Sequence, residues 1–136
     1  MTIIVDTNVL IDVLVADPIW LDWSIEHLDE CRRSSAICIN EVGYAELAAR
    51  SDSKVSMQMW LERFEVALER MPTAALFAAG QAFRRYRAAG GPRLNVLADF
   101  FVGAHAGVSR MAILTRDVRR YRTYFPDVVL IAPAGG

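Results

Sequence analysis

The sequence predicts a three-layer α/β fold in which a central, mostly parallel sheet is flanked by helices on both faces. Short β-branched runs alternate along the chain with longer segments whose apolar residues recur at helical spacing. This alternation is typical of parallel strands joined by crossover helices. The chain has 136 residues, of which 54% are hydrophobic and 23% are charged, enough apolar material for one core. We therefore expect a single domain over residues 1–136, with residues 133–136 as a tail.

The first half of the chain contains two predicted strands. Ile3–Val5 is a β-branched run that ends at Asp6, the pattern of a buried strand. Asn8 is a suitable N-cap for the helix that follows, and Asp17-Pro18 ends that helix. The elements predicted here are, in order, strand Ile3–Val5, helices Val9–Val15 and Trp20–Arg33, strand Ala36–Ile39, and a helix that Asn40 caps and that runs through Ala49.

The second half is divided by proline and glycine. Met71-Pro72 separates two helical segments, and Gly90-Gly91-Pro92 ends the second of them. Asn95 is a suitable cap for the next helix. The elements predicted here are helices Ser53–Arg70, Thr73–Ala89 and Val96–Val108, followed by strands Met111–Leu114 and Val128–Ile131.

Several classes of protein are excluded by simple patterns. Asp6 and Asp12 interrupt the apolar N-terminal run, which also lacks a basic region, so neither a signal peptide nor a membrane span is expected. Cys31 and Cys38 form no CxxC pair, which disfavours a zinc site and favours reduced thiols in a cytoplasmic protein. Neither GxxxxGK[ST] nor GxGxxG occurs, so we expect no nucleotide-binding loop of those types.

Four acidic residues are candidates for a site at the carboxyl ends of the strands, where open parallel sheets place their ligands. Asp6 ends the first strand, and Asp117 follows the third strand after two intervening residues. Glu46 lies about 7.5 Å along the helix from its predicted start, and helical side chains lean back toward the N-terminus. Glu46 can therefore reach the strand ends.

Asp99 is the most informative of the four, because the segment Val96–Val102 around it is otherwise apolar. A buried carboxylate needs a donor, a cation or water. A charge that simply stabilises the helix N-terminus is the alternative for Asp99. Each of the other three also has an ordinary alternative as a turn, cap or solvated helix residue.

The acidic residues have no lysine to match them, since Lys54 is the only lysine in the chain. Carboxylates at close range repel one another unless protons or a divalent cation intervene. A set of oxygen ligands suits Mg²⁺ or Mn²⁺ rather than zinc.

Four segments carry a family resemblance: Ile3–Asn8, Tyr44–Leu47, Leu97–Phe101 and Leu114–Asp117. Together they resemble the PIN-domain nucleases, and among these the VapC-like toxins of bacterial toxin–antitoxin pairs. The resemblance extends from Ile3 to about Pro133. One departure is Ala98, where many relatives have proline before the aspartate.

The resemblance implies a Mg²⁺- or Mn²⁺-dependent endoribonuclease in which a metal-activated water attacks the phosphodiester. It assigns Asp6 and Asp99 as metal ligands, and Glu46 and Asp117 as further members of the acidic cluster, bound directly or through water. It assigns orienting roles to Thr7, Asn8 and Thr115. It also implies a PIN-like fold, a homodimer and an antitoxin partner that places an arginine near the acidic pocket.

The net charge of −1 argues mildly against a nucleic-acid binder, but affinity for RNA depends on local phosphate contacts. Two arginine clusters are therefore candidates for RNA binding, with an ordinary solvated surface as the alternative. They consist of Arg84, Arg85, Arg87 and Arg93, and of Arg116, Arg119, Arg120 and Arg122.

Two other functions remain open at this point. One is a non-catalytic interaction module with the same fold. The other is an acidic-pocket phosphoryl-transfer domain, although Asn8 stands where the phosphatase pattern requires aspartate, and Lys54 is not the late-strand lysine of a receiver.

Overall fold

The computed structural model describes residues 1–92 and 97–134. Three residues named above, Arg93, Asn95 and Val96, lie outside the described residues. The strands are β1 (Thr2–Val5), β2 (Ala36–Ile39), β3 (Val66–Leu68), β4 (Ala112–Leu114) and β5 (Leu130–Ile131). The helices are α1 (Thr7–Leu14), α2 (Leu21–Ser34), α3 (Glu41–Ala48), α4 (Lys54–Arg63), α5 (Thr73–Ala88), α6 (Leu97–Ser109) and α7 (Arg119–Tyr124).

The five strands form one sheet in the order β3-β2-β1-β4-β5, and every neighbouring pair is parallel. The predicted fold class is confirmed, and the described sheet is wholly rather than mostly parallel. β1 is central: Ile4 is in register with Cys38 of β2 and with Ile113 of β4. The carboxyl ends of β1 and β4 are therefore neighbours.

Side chains of β1 alternate between the two faces of the sheet, as the pleat requires. Ile3 and Val5 pack in a cluster with Val9 of α1 and Leu28 of α2. Ile4 packs on the opposite side with Val102 of α6, in a cluster of its own. Because both faces of β1 are buried against helices, the run Ile3–Val5 contains no polar residue.

The prediction of one helix over Ser53–Arg70 is wrong beyond Arg63. Phe64 ends the helix, Glu65 has a left-handed backbone with φ of 58°, and Val66 begins β3. Val66 pairs with Ile37 of β2. Phe64 and Leu68 are four positions apart, which is also the spacing of one helix face, but pairing with β2 determines the conformation after the turn.

The predicted cap of the first helix is also wrong, whereas that of α3 is confirmed. The helix begins at Thr7 directly after Asp6, so Asn8 lies inside it. Asn40 caps α3, since its Oδ1 accepts hydrogen bonds from the backbone N–H groups of Val42 and Gly43, each at 3.1 Å. α7 was not predicted.

Among the helices that the structure describes, none combines the length and apolar character that a membrane crossing requires.

Candidate functional site

The carboxyl ends of β1 and β4 bring Asp6 and Thr115 together. The Asp6 N–H donates to the Leu114 carbonyl at 2.8 Å, which places Asp6 directly beyond the paired residues Val5 and Leu114. Thr115 Oγ1 donates to Asp6 Oδ2 at 2.9 Å, and the Tyr121 hydroxyl donates to the same oxygen at 2.8 Å. Desolvation raises the pKa of the buried Asp6 carboxyl, and these hydroxyl donors oppose the shift only in part. Asp6 is therefore held in place by its neighbours.

Glu46 approaches this point from α3. Thr7 Oγ1, on the first turn of α1, donates to Glu46 Oε1 at 3.0 Å. Desolvation of the carboxyl group and the negative charge of Asp6 raise the pKa of Glu46 above its usual value, despite the Thr7 hydrogen bond. The expected reach of Glu46 back to the strand ends agrees with this contact.

Asp99 lies on the first turn of α6 and faces the same region. Arg120 Nη1, on α7, donates to Asp99 Oδ2 at 3.1 Å. Desolvation first, and then the negative charge of Asp6, raise the pKa of Asp99 to about 6, although Arg120 opposes the shift. Asp99 therefore has an ion-pair partner that could not be predicted from the apolar residues next to it in the sequence.

Asp117 is held by two groups close to it in sequence. Arg119 binds it with two nitrogens, Nε to Oδ1 at 3.0 Å and Nη2 to Oδ2 at 2.9 Å. These hydrogen bonds lower the pKa of Asp117. The Asp117 N–H donates to Thr115 Oγ1 at 3.1 Å, which ties the loop back to β4.

Electrostatic effects connect Asp6 with Glu46 and connect Asp99 with both Asp6 and Asp117. The charge of Asp6 raises the pKa of both Glu46 and Asp99, and the charge of Asp117 also raises that of Asp99. However, within residues 1–92 and 97–134, no three His, Cys, Asp or Glu side chains are arranged to hold a metal ion together. Two of the four carboxylates instead form ion pairs with arginine, Asp117 with Arg119 and Asp99 with Arg120.

The donors present at this place suit a hard divalent cation. All four acidic groups offer carboxylate oxygens, the ligands that Mg²⁺ and Mn²⁺ prefer. Asn8 Oδ1 is buried and has no hydrogen-bond partner among the described residues, while Asn8 Nδ2 lies 3.5 Å from Thr115 Oγ1. An unpaired buried carbonyl oxygen is costly unless water or a cation satisfies it. The carboxylate and amide oxygens at this place therefore suit Mg²⁺ or Mn²⁺ as a ligand set.

The arginines that the sequence suggested for RNA binding lie in different surroundings. Arg84, Arg85 and Arg87 are exposed on the last turns of α5. Arg116 instead binds Asp12 with two nitrogens, at 2.7 and 3.0 Å. Arg119 and Arg120 are paired with acidic residues of the site, as described above.

Tyr121 was not predicted as a site residue. It is buried on α7 between Arg120 and Arg122. One signal was available: Tyr121 and Tyr124 are three positions apart in a segment that otherwise consists of arginine and threonine, a pattern typical of an amphipathic helix whose aromatic residues face inward.

The fold and these contacts define an α/β protein with an acidic site at the carboxyl edge of a parallel sheet. A model of the PIN domain family matches residues 3–126. The chain belongs to the PIN domain family.

Solved structures with the same fold cover nearly the whole chain. VapBC2 from Rickettsia felis, bound to a DNA fragment from the promoter, has a TM-score of 0.73 at 19% identity, over 97% of this chain and 98% of that one. VapBC from Salmonella typhimurium, bound to DNA, has a TM-score of 0.70 at 20% identity, again over 97% and 98%. A toxin–antitoxin complex from Klebsiella pneumoniae has a TM-score of 0.67 at 19% identity, over 93% and 94%. A search of curated protein sequences found no significant match.

Proposed function

We propose that this chain is a Mg²⁺- or Mn²⁺-dependent endoribonuclease and the toxin of a toxin–antitoxin pair. PIN domains are generally nucleases, and the family match covers residues 3–126. The observation that carries the proposal is the position of Asp6 at the end of β1, where its negative charge raises the pKa of Glu46 on α3 and of Asp99 on α6. The PIN match also favours a nuclease over a phosphoryl-transfer domain.

Asp6 and Asp99 would hold the cation, with Glu46 and Asp117 joining them directly or through water. Such a cation lowers the pKa of a water molecule and stabilises negative charge on phosphate oxygens. Thr115 donates a hydrogen bond to the carboxylate of Asp6. Thr7 orients Glu46.

Hydrolysis by water needs no nucleophilic side chain, and the thiols of this chain are poorly suited to be one. Burial raises the pKa of Cys38 to about 12 and also raises that of Cys31. A buried thiol at neutral pH is therefore protonated and unreactive.

For a toxin of this kind we also propose a partner protein, an oligomeric state and a cellular location. The similarity to a toxin–antitoxin complex from Klebsiella pneumoniae supports an antitoxin partner for this chain. Arg119 and Arg120 already illustrate how guanidinium groups bind these carboxylates, so an antitoxin arginine is a suitable ligand for the pocket. We also propose a homodimer and a cytoplasmic location, where the RNA substrate is.

Cleavage of labelled single-stranded RNA tests the enzymatic proposal. We expect cleavage with Mg²⁺ or Mn²⁺, its loss in EDTA, and its loss in Asp6→Asn and Asp99→Asn. Asp22→Asn is the matched control, because Asp22 is exposed on α2. Undiminished cleavage by the two site variants rejects the site. A folded wild-type protein that cuts no RNA with either metal supports the non-catalytic module instead.

Expression in cells tests the toxin proposal. We expect growth arrest when the chain is expressed alone, and recovery when its cognate antitoxin is expressed with it. Harmless expression of an enzymatically active wild-type protein counts against the toxin. Sedimentation at micromolar concentration tests the homodimer, and a monomer alone rejects it.

A further inference from the structure

We propose that Tyr121 is a positioning residue for Asp6: its phenol fixes one carboxylate oxygen, Oδ2, and so presents the other, Oδ1, to the metal. This inference rests on the proposed function, because it assigns a task to a residue that supports the proposed metal ligand.

The contact is short and buried on both sides. The Tyr121 hydroxyl donates to Asp6 Oδ2 at 2.8 Å across 115 positions of sequence, and the Tyr121 side chain is only 1% exposed. Thr115 Oγ1 donates to the same oxygen at 2.9 Å. Since a carboxylate oxygen accepts about two hydrogen bonds, these two hydroxyls saturate Oδ2. No described side chain donates to Oδ1, and the other donors to this carboxyl group are the backbone N–H groups of Thr7 and Asn8.

The ring of Tyr121 has little freedom to move. It packs with Ile4 of β1, Cys38 of β2 and Val102 of α6, in the cluster on one face of the sheet. Close packing of this kind holds a ring in one orientation. A buried hydroxyl left without a partner is unfavourable, so the ring is anchored where its hydroxyl meets Asp6.

The Tyr121 hydroxyl has fewer acceptors within reach than the Thr115 hydroxyl has. The single hydroxyl proton of Thr115 has two acceptors within reach, Asp6 Oδ2 and the Asp117 carbonyl oxygen at 3.2 Å. The Tyr121 hydroxyl has one acceptor among the described residues, Asp6 Oδ2. Among the two hydroxyl donors, Tyr121 is therefore the one whose proton is directed to Asp6 alone.

Calorimetric titration of the whole chain with Mn²⁺ alone, without RNA, tests the inference on Tyr121→Phe. This change removes the hydroxyl and keeps the ring. The matched control is Tyr86→Phe, because Tyr86 is also buried and its hydroxyl donates to the Pro92 carbonyl at 3.1 Å. We expect Mn²⁺ affinity to fall about 10–100-fold in Tyr121→Phe and to stay at the wild-type value in Tyr86→Phe. In RNA cleavage at fixed Mn²⁺, kcat should fall in Tyr121→Phe while KM for RNA is unchanged.

Equal Mn²⁺ affinities of Tyr121→Phe, Tyr86→Phe and the wild type would overturn the positioning role while leaving the proposed function in place. A wild-type protein that neither binds Mn²⁺ nor cuts RNA rejects the proposed function, and this inference with it. These results therefore distinguish a failure of the positioning role from a failure of the proposed function.

A second measurement covers the case in which Tyr121→Phe does not fold. The chain has four tyrosines, so 3-fluorotyrosine gives four ¹⁹F signals, assigned by replacing the other three tyrosines one at a time with phenylalanine. We expect saturating Mg²⁺ to shift the Tyr121 signal more than that of Tyr44. An unchanged Tyr121 signal at saturation contradicts the inference.

Discussion

Arg116 forms a two-nitrogen ion pair with Asp12, a carboxylate that is 1% exposed and lies 104 positions earlier in the chain. Ser24 Oγ of α2 donates to the same carboxylate at 2.9 Å, and the Arg116 guanidinium lies 5.4 Å from the centre of the Trp20 ring. The pair therefore connects α1 and α2 to the loop that carries Thr115 and Asp117 into the site. We expect it to contribute to stability more than the other described ion pairs do.

Replacing Asp12 should show this contribution. Asp12→Ala leaves Arg116 and the buried Ser24 hydroxyl without their partner, and removing one member of a buried pair costs about 3–5 kcal/mol. Because Arg116 is 30% exposed, we expect a loss of about 3 kcal/mol of unfolding free energy in urea titrations. Asp29→Ala is the control, since Asp29 and Arg32 are 34% and 31% exposed, and its loss should stay below about 1 kcal/mol. Equal losses in the two variants contradict a special role for the Asp12 pair.

Two helical glycines should respond in opposite directions to replacement by alanine. A methyl group at Gly103 of α6 would overlap the ring of Phe125, whereas nothing lies within 4 Å of the corresponding position at Gly80 of α5. We expect Gly103→Ala to lose about 1–3 kcal/mol through overpacking, and Gly80→Ala to gain about 0.5–1 kcal/mol through reduced backbone entropy of the unfolded chain. Thermal and urea unfolding measure both. A stabilised Gly103→Ala would mean that Phe125 moves aside without loss.

The Thr7 hydroxyl should matter for activity through Glu46. Thr7→Val removes the donor to Glu46 Oε1 at nearly constant volume, and the loss of such a support for a metal-site carboxylate lowers activity about 10–100-fold. Thr7→Ser keeps a hydroxyl at the same position and should retain activity within a few-fold. Initial rates of Mn²⁺-dependent RNA cleavage compare the two. Equal rates for Thr7→Val and Thr7→Ser would show that the hydrogen bond is dispensable.

The parts of the fold that the sequence predicted are those whose signal is local. β1 and β2 are continuous apolar runs because helices bury both of their faces, and Asn40 is a strong N-cap because its side chain satisfies two backbone N–H groups. The segment that forms β3 has no such local pattern in the sequence. It is a short edge strand in which Val66 is buried while Ala67 and Leu68 are exposed, and its conformation depends on pairing with β2.

The same distinction applies to the site. The positions of Asp6 and Asp117 followed from the rule that ligands of parallel sheets bind at the carboxyl ends of strands. Their partners did not follow, because the contact of Tyr121 with Asp6 and that of Arg120 with Asp99 depend on how α7 packs against the sheet. No sequence spacing encodes contacts made across 115 and 21 positions.

The raised pKa of Asp99 predicts how stability and metal binding depend on pH. Its pKa of about 6 in the folded protein, caused mainly by desolvation and then by the Asp6 charge, exceeds the ordinary value of 3.8. The folded state therefore binds this proton more tightly than the unfolded state, so the stability from this group is fully present below about pH 4 and is lost as the pH rises through about 6. Asp6 and Glu46, whose pKa values are also raised, act in the same direction. In EDTA, we expect the unfolding free energy of the wild type to fall relative to that of Asp99→Asn over this range.

Since a divalent cation binds the deprotonated carboxylates, Mn²⁺ affinity in calorimetry should weaken as the pH falls below about 6. Parallel stability curves for the wild type and Asp99→Asn from about pH 4 to 7 would show that Asp99 titrates normally, and a Mn²⁺ affinity that is flat with pH would show that its proton does not compete with the metal.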